Sequence, residues 1–173
     1  QIYEGVIYDD YYYGKGVKTL PDGSKYEGDY VNGVRHGHGK LTLSDGGVIE
    51  SEWVNGVVEG KGWFQLHKIG NFIGEFEDGE PKRGKLLSPN GQMYEGSFLN
   101  WEPNGSGRQI FPDGDEYEGE FIDGKNDGRG VYTHKNGKTM LGDWKDNKPS
   151  EEGFMTYWES PPFDTKVDSC IVR

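Results

Sequence analysis

Large and polar residues alternate over short stretches, and the alternation restarts at a fixed interval along the chain. In Tyr26-Glu27-Gly28-Asp29-Tyr30, one face takes Tyr26, Gly28 and Tyr30, and the other takes Glu27 and Asp29. That period of two suits a half-buried strand. Asn32-Gly33 then predicts a tight turn, because both residues tolerate positive φ. A second strand follows in Lys40-Leu41-Thr42-Leu43, and Asp45-Gly46 turns the chain into the next copy. Each unit is thus expected to be a β-hairpin. Frequent glycine and an apolar period of two argue against helix.

The units open at Tyr3, Tyr26, Ile49, Phe72, Tyr94, Tyr117 and Met140, at spacings of 23, 23, 23, 22, 23 and 23 residues. A constant period marks a repeat architecture, which works through an extended surface more often than through one pocket. Stacked hairpins predict an all-β fold, an elongated single-layer antiparallel meander of about seven units. At about 4.8 Å per strand it would span roughly 65–70 Å, and a sheet of that length must twist. The array is expected over residues 1–157. Residues 158–173 form a tail that either caps the last hairpin or hangs free; Pro161 and Pro162 cannot join a central strand.

A glycine pair two residues apart, Gly37 and Gly39, recurs as Gly14/Gly16, Gly60/Gly62, Gly105/Gly107 and Gly128/Gly130. Empty positions on one face let aromatic side chains of the paired strand lie across the backbone. The aromatic four places after each repeat start recurs too, as Tyr30, Trp53, Phe76, Phe98, Phe121 and Trp144, with Ile7 in the first repeat. One face is therefore expected to carry an aromatic row and the other to be mostly charged and polar.

Composition narrows the picture. Glycine supplies 29 of 173 residues, roughly twice the usual 7%. Aliphatic residues are few, so the aromatics must do most of the burying. The net charge of −11 disfavours nucleic acid and anionic lipid and favours basic partners. Cys170 is the single cysteine, so no internal disulfide forms and a reducing compartment is expected. No apolar run approaches the roughly 20 residues of a membrane helix, and no signal peptide is visible. The chain starts at Gln1, already in phase with the repeat, which suggests a fragment of a longer protein.

Tyr26-Glu27-Gly28-Asp29-Tyr30-Val31-Asn32-Gly33 with Gly37 and Gly39, and Tyr117-Glu118-Gly119-Glu120-Phe121-Ile122-Asp123-Gly124 with Gly128 and Gly130, resemble the MORN (membrane occupation and recognition nexus) repeat family. The resemblance runs over residues 3–157. It implies an array of hairpins similar to segments of cytoskeletal and ciliary scaffolds, membrane-junction proteins, and some lipid kinases and methyltransferases whose catalytic domain lies elsewhere. It also implies phospholipid binding, dimerisation or capture of partner helices. Departures from the pattern are Asp9-Asp10-Tyr11-Tyr12-Tyr13 in place of the first turn, Ile49-Glu50-Ser51, a residue lost within Gly79-Glu80-Pro81-Lys82-Arg83-Gly84, Trp101 at a turn glycine, and Met140 with no closing turn in the seventh repeat.

Chemical motifs do not survive inspection. Gly137-Lys138-Thr139 lacks the upstream glycine of a phosphate loop. Asp123-Gly124-Lys125-Asn126-Asp127-Gly128 has lysine at a calcium-ligand place and His134 where a bidentate glutamate belongs. His36 and His38 lack further ligands. Ser106 lacks a nucleophile elbow, and carboxylate pairs such as Glu118/Glu120 and Asp113/Asp115 fall on a solvated side. Asn104-Gly105-Ser106 reads as an incidental glycosylation sequence. The prenylation-like Cys170-Ile171-Val172-Arg173 ends on the wrong residue. No catalytic, metal or cofactor site is expected.

The function expected is therefore a non-catalytic scaffold, cytoplasmic and associated with cytoskeleton, cilium or membrane. A one-layer sheet cannot wholly bury its aromatic row, so Tyr26, Tyr30, Trp53, Phe76, Phe98, Tyr117, Phe121 and Trp144 are candidate partner contacts. The alternative is that these side chains stack on glycines as core. Trp101 and Tyr11, Tyr12 and Tyr13 are further candidates, as large aromatics on predicted turns. The occupant is a protein: an amphipathic helix with basic residues, or a second copy. Lipid is not favoured, since Lys82-Arg83 falls short of a basic cluster. A targeting segment of a larger lipid kinase or methyltransferase is the other alternative.

Overall fold

The computed structural model describes residues 2–150 and the backbone of residues 156–159. Hairpins follow one another as β1 (Ile2–Tyr8) and β2 (Tyr11–Thr19), β3 (Lys25–Val31) and β4 (Val34–Thr42), β5 (Val48–Val54) and β6 (Val57–Leu66), and β7 (Gly70–Glu77) and β8 (Glu80–Leu87). They continue as β9 (Met93–Leu99) and β10 (Glu102–Ile110), β11 (Glu116–Ile122) and β12 (Lys125–Thr133), and β13 (Lys138–Lys145) with the short β14 (Lys148–Pro149). The strands pair in sequence order as one open antiparallel meander, and β15 (Thr156–Glu159) pairs β13 beyond β14. The expected boundary at 157 falls inside β15. The rest of the tail, with Pro161, Pro162 and Cys170, lies outside the described residues.

Both turn chemistries repeat. Within a repeat, two successive residues take positive φ, as at Asn32 (49°) and Gly33 (78°). This is the mirror-image turn whose twist matches that of its flanking strands. Between repeats, a side-chain oxygen accepts from the backbone N–H two residues on, as Asp22 does from Ser24, Asp45 from Gly47 and Asp113 from Asp115. The first repeat follows the same rule as the others. Asp9 (49°) and Asp10 (66°) make its turn, so Tyr11, Tyr12 and Tyr13 begin β2 and are not turn residues.

Register explains the sheet's composition. One ladder crosses β1 to β13 through Gly5, Gly16, Gly28, Gly39, Ser51, Gly62, Gly74, Gly84, Gly96, Gly107, Gly119, Gly130 and Gly142. Tyr3, Tyr26, Phe72, Tyr94 and Tyr117 lie across these glycines, and a Cβ at any of the steps they cover would strike the ring. The hydroxyls of Tyr26, Tyr94 and Tyr117 donate to the carbonyls of Asp29, Ser97 and Glu120 at 3.4, 2.8 and 3.2 Å. The third repeat has Ile49 in place of the tyrosine and Ser51 in place of the glycine. The shorter apolar side chain leaves room for the serine, whose Oγ donates to the carbonyls of Glu59 and Lys61, both at 3.2 Å.

The glycine pairs serve two purposes, not the single one expected. Only the second member lies under a ring, in every pair but Gly60/Gly62, where a Cβ on Gly62 would meet the Ser51 side chain instead. The first members, Gly14, Gly37, Gly60, Gly105 and Gly128, adopt φ of 67°, 65°, 65°, 80° and 96°. They sit in bulges where the second strand of a repeat gains residues on the first: Gly39 pairs Gly28, but Arg35 already pairs Tyr30. Register between repeats is unbroken, as in Gly37 opposite Trp53. The fourth repeat has lost one bulge residue, so Arg83 pairs Glu75 and Pro81 pairs Phe76.

Candidate interaction surfaces

The aromatic row is core. Tyr26, Tyr30, Trp53, Phe76, Phe98, Tyr117, Phe121 and Trp144 are each at most 5% exposed. This corrects the expectation that one layer could not bury them. Rings laid on glycine backbone lose one face to the sheet itself, and their edges are closed by neighbouring rings. Tyr26 meets Tyr30 and Trp53 edge-on at 5.2 and 5.3 Å, and Tyr117 meets Phe121 and Trp144 at 5.2 and 5.3 Å. Each such pair adds roughly 0.5–1.5 kcal/mol to burial worth about 1.5–3 kcal/mol per large side chain. An isolated hairpin is marginal by comparison, so the rings stabilise each repeat through its neighbours. The indoles are anchored as well: Trp53 Nε1 donates to the Gly39 carbonyl at 2.9 Å and Trp144 Nε1 to that of Gly130 at 3.3 Å.

Burial also sets the ionisation of the row. It pushes the hydroxyls of Tyr30, Tyr94 and Tyr117 up to about 12, and it raises Tyr26 too. Tyr132 reaches about 12 through burial and through its hydrogen bond to Asp115. No group of three His, Cys, Asp or Glu among the described residues is placed to hold a metal ion. His38 lies 3.7 Å from Glu50, and Asp127 pairs Lys145 at 2.8 Å.

The three tyrosines of β2 divide between the faces. Tyr12 stacks on Tyr3 at 3.9 Å and joins the core side. Tyr11 and Tyr13 point the other way, 55% and 45% exposed. In register with them stand Tyr8 and Val6, 74% and 60% exposed. Together with Asp9 and Asn32 these four line a groove of about 840 Å³. The apolar surface continues past the turns to Val31 and Val34, then Val54 and Val57, all more than a third exposed. The face opposite the aromatic row is therefore not mostly charged at this end. The signal was present in sequence, in the valines flanking Asn32-Gly33 and Asn55-Gly56 and in the parity of Tyr11 and Tyr13, but it required the true position of the first turn.

Trp101 does occupy a turn, as expected, with φ of 68°, a costly conformation for a bulky residue. Its ring reaches back to Phe64 at 5.7 Å while remaining 39% exposed. It is part lid on the third repeat and part surface.

A family model described as MORN repeat matches residues 3–25, 26–48, 50–67, 94–116, 117–139 and 141–157. The hairpin that begins at Phe72, the one with the shortened bulge, is not among them, yet it stands in line with the rest. Among solved structures, the TCP domain of SAS-4 (dCPAP) from Drosophila melanogaster, in complex with a proline-rich motif of Ana2 (dSTIL), is similar at 15% identity and a TM-score of 0.43, over 82% of this chain and 83% of that one. A search of curated proteins found no significant match.

Proposed function

Because the chain belongs to the MORN repeat family, we propose that it is a non-catalytic scaffold that binds a partner protein through the exposed face of its first hairpin. The observation that carries this reading is the cluster of Val6, Tyr8, Tyr11 and Tyr13, outside the core and lining one groove. Exposed contiguous apolar surface marks interaction sites, and tyrosine is prominent among the residues that dominate them. Asp9 lines the groove, Glu4 and Asp10 are its neighbours along the chain, and the first basic residue in sequence is Lys15, so a partner segment with basic residues is favoured. The aromatic row, being core, supports the surface without forming it.

The test is affinity capture from the native cell with the parent and with the triple variant Tyr8→Ser, Tyr11→Ser, Tyr13→Ser, followed by mass spectrometry. A partner retained by the parent and lost from the folded variant supports the reading. Equal retention of every captured protein refutes it.

A further inference from the structure

The face opposite the aromatic row follows a charge rule across repeat boundaries. Where the second strand of one repeat meets the first strand of the next, base tends to face acid. One row pairs Lys15 with Asp29, His38 with Glu52, Lys61 with Glu75 and Arg129 with Asp143. The row beside it pairs Lys40 with Glu50, Lys85 with Glu95 and Arg108 with Glu118. Directly opposed charges of unlike sign stabilise a sheet modestly, and they leave little net potential.

Two departures from this rule adjoin in the middle of the array. Trp63 faces Ile73 where the preceding repeat boundary has Lys40 and Glu50, and Arg83 faces Ser97 where an acid belongs. Val17, Ser106 and the Val131–Leu141 pair depart elsewhere, but none of them joins an aromatic to an arginine lacking its acid. Ile73 is 64% exposed. Arg83 makes no ion pair with the described residues; in register, it and Lys61 share the single carboxylate of Glu75. Trp63 differs from Trp53 and Trp144 in having no acceptor for its indole N–H among the described residues. The three side chains line one hollow of about 500 Å³, and an adjoining one of about 330 Å³ extends past Ile73 to Leu87 and Met93.

We propose that this hollow docks a peptide segment of another protein in which an aliphatic or aromatic side chain stands beside Asp or Glu. The apolar side chain packs between Trp63 and Ile73. The carboxylate takes the planar fork of Arg83, which offers two parallel donors, and the Trp63 N–H donates to a peptide carbonyl. Charge selects the sign of the occupant: of the two carboxylates lining the hollow, Glu50 faces Lys40 and lies 3.7 Å from His38, and Glu75 faces Lys61, whereas Arg83 faces Ser97 and is the cation left without an acid across its repeat boundary. Trp and Arg are also the residue types that most often carry binding energy. The site lies apart from the first-hairpin surface and does not depend on it.

The probe is an immobilised array of dodecapeptides in a Gly/Ser background, with Leu or Phe placed beside Asp or Glu, beside Lys, or beside no charge. The parent protein is expected to be retained best on the apolar–acidic set. Trp63→Ala should lower that retention by about tenfold or more, as for an interface anchor. Arg83→Glu should move the preference to the apolar–Lys set, a reversal that misfolding cannot produce. Equal retention on all three sets, or a parent that prefers Lys, overturns the proposal. So does self-association in sedimentation, or flotation with phosphatidylserine vesicles, that Ile73→Lys abolishes.

Discussion

Gly39→Ala is the sharpest test of how this sheet buries its aromatics. An ideal Cβ on Gly39 would lie beneath the Tyr26 ring, with Cε2 at 2.7 Å and the hydroxyl end closer still. Carbon atoms prefer about 3.5–4.0 Å, so the ring must lift by about 1 Å. Lifting it disturbs the edge contacts with Tyr30 and Trp53 and the Arg35 guanidinium lying 4.8 Å over the ring. Overpacking costs about 1–3 kcal/mol, and two weakened ring pairs and one cation–π contact add about 1–2 kcal/mol. Reduced freedom of the unfolded chain returns about 0.4–1 kcal/mol. The expected loss is about 2–4 kcal/mol. Gly60→Ala is the control, since its Cβ meets no atom within 4 Å but its φ is +65°; its cost should stay near 1 kcal/mol, from backbone conformation alone. Urea denaturation followed by circular dichroism measures both, with midpoint and slope compared, because repeat arrays can lose cooperativity. In a Tyr26→Leu background the cost of Gly39→Ala should fall below about 1 kcal/mol. A Gly39→Ala cost that is the same with and without the Tyr26 ring refutes the reasoning.

Three further outcomes follow from the same packing. The folded-state pKa of Tyr30, Tyr94, Tyr117 and Tyr132 is about 12, against about 10 unfolded. Their contribution is therefore fully present below about pH 10 and is lost as pH rises through about 12, since the unfolded chain releases protons first. Thermal midpoints should fall over that window, with tyrosinate absorbance at 295 nm (the usual band) rising together with unfolding; a midpoint flat to pH 12 contradicts it. At the strained turn, Trp101→Ala keeps positive φ and loses the Phe64 contact, whereas Trp101→Gly loses only the contact. The glycine variant should be the more stable by about 1 kcal/mol in differential scanning calorimetry, and the opposite order would count against strain at this residue. In the third repeat, Ile49→Tyr should destabilise alone, by colliding with Ser51, and be largely rescued by Ser51→Gly; additive effects in a double-mutant cycle would disprove the compensation.

Periodicity alone determined a great deal. The spacing of Tyr3, Tyr26 and their successors, with Asn32-Gly33 and its equivalents, specified hairpins, their number and their antiparallel stacking, because turn chemistry and strand alternation are local. The candidate surface was legible only in part. That Tyr26 and Trp53 are core follows from a glycine ladder formed by residues of successive strands, and burial of a ring depends on what lies across the sheet. Tyr11 and Tyr13 were noticed as unusual, but their direction awaited the turn at Asp9-Asp10, since a shift of one residue moves every side chain to the other face. Trp63, Ile73 and Arg83 are unremarkable along the chain. Only the register brought them together, because cross-strand neighbours are set by pairing, which adds up the offsets of every bulge and turn between them.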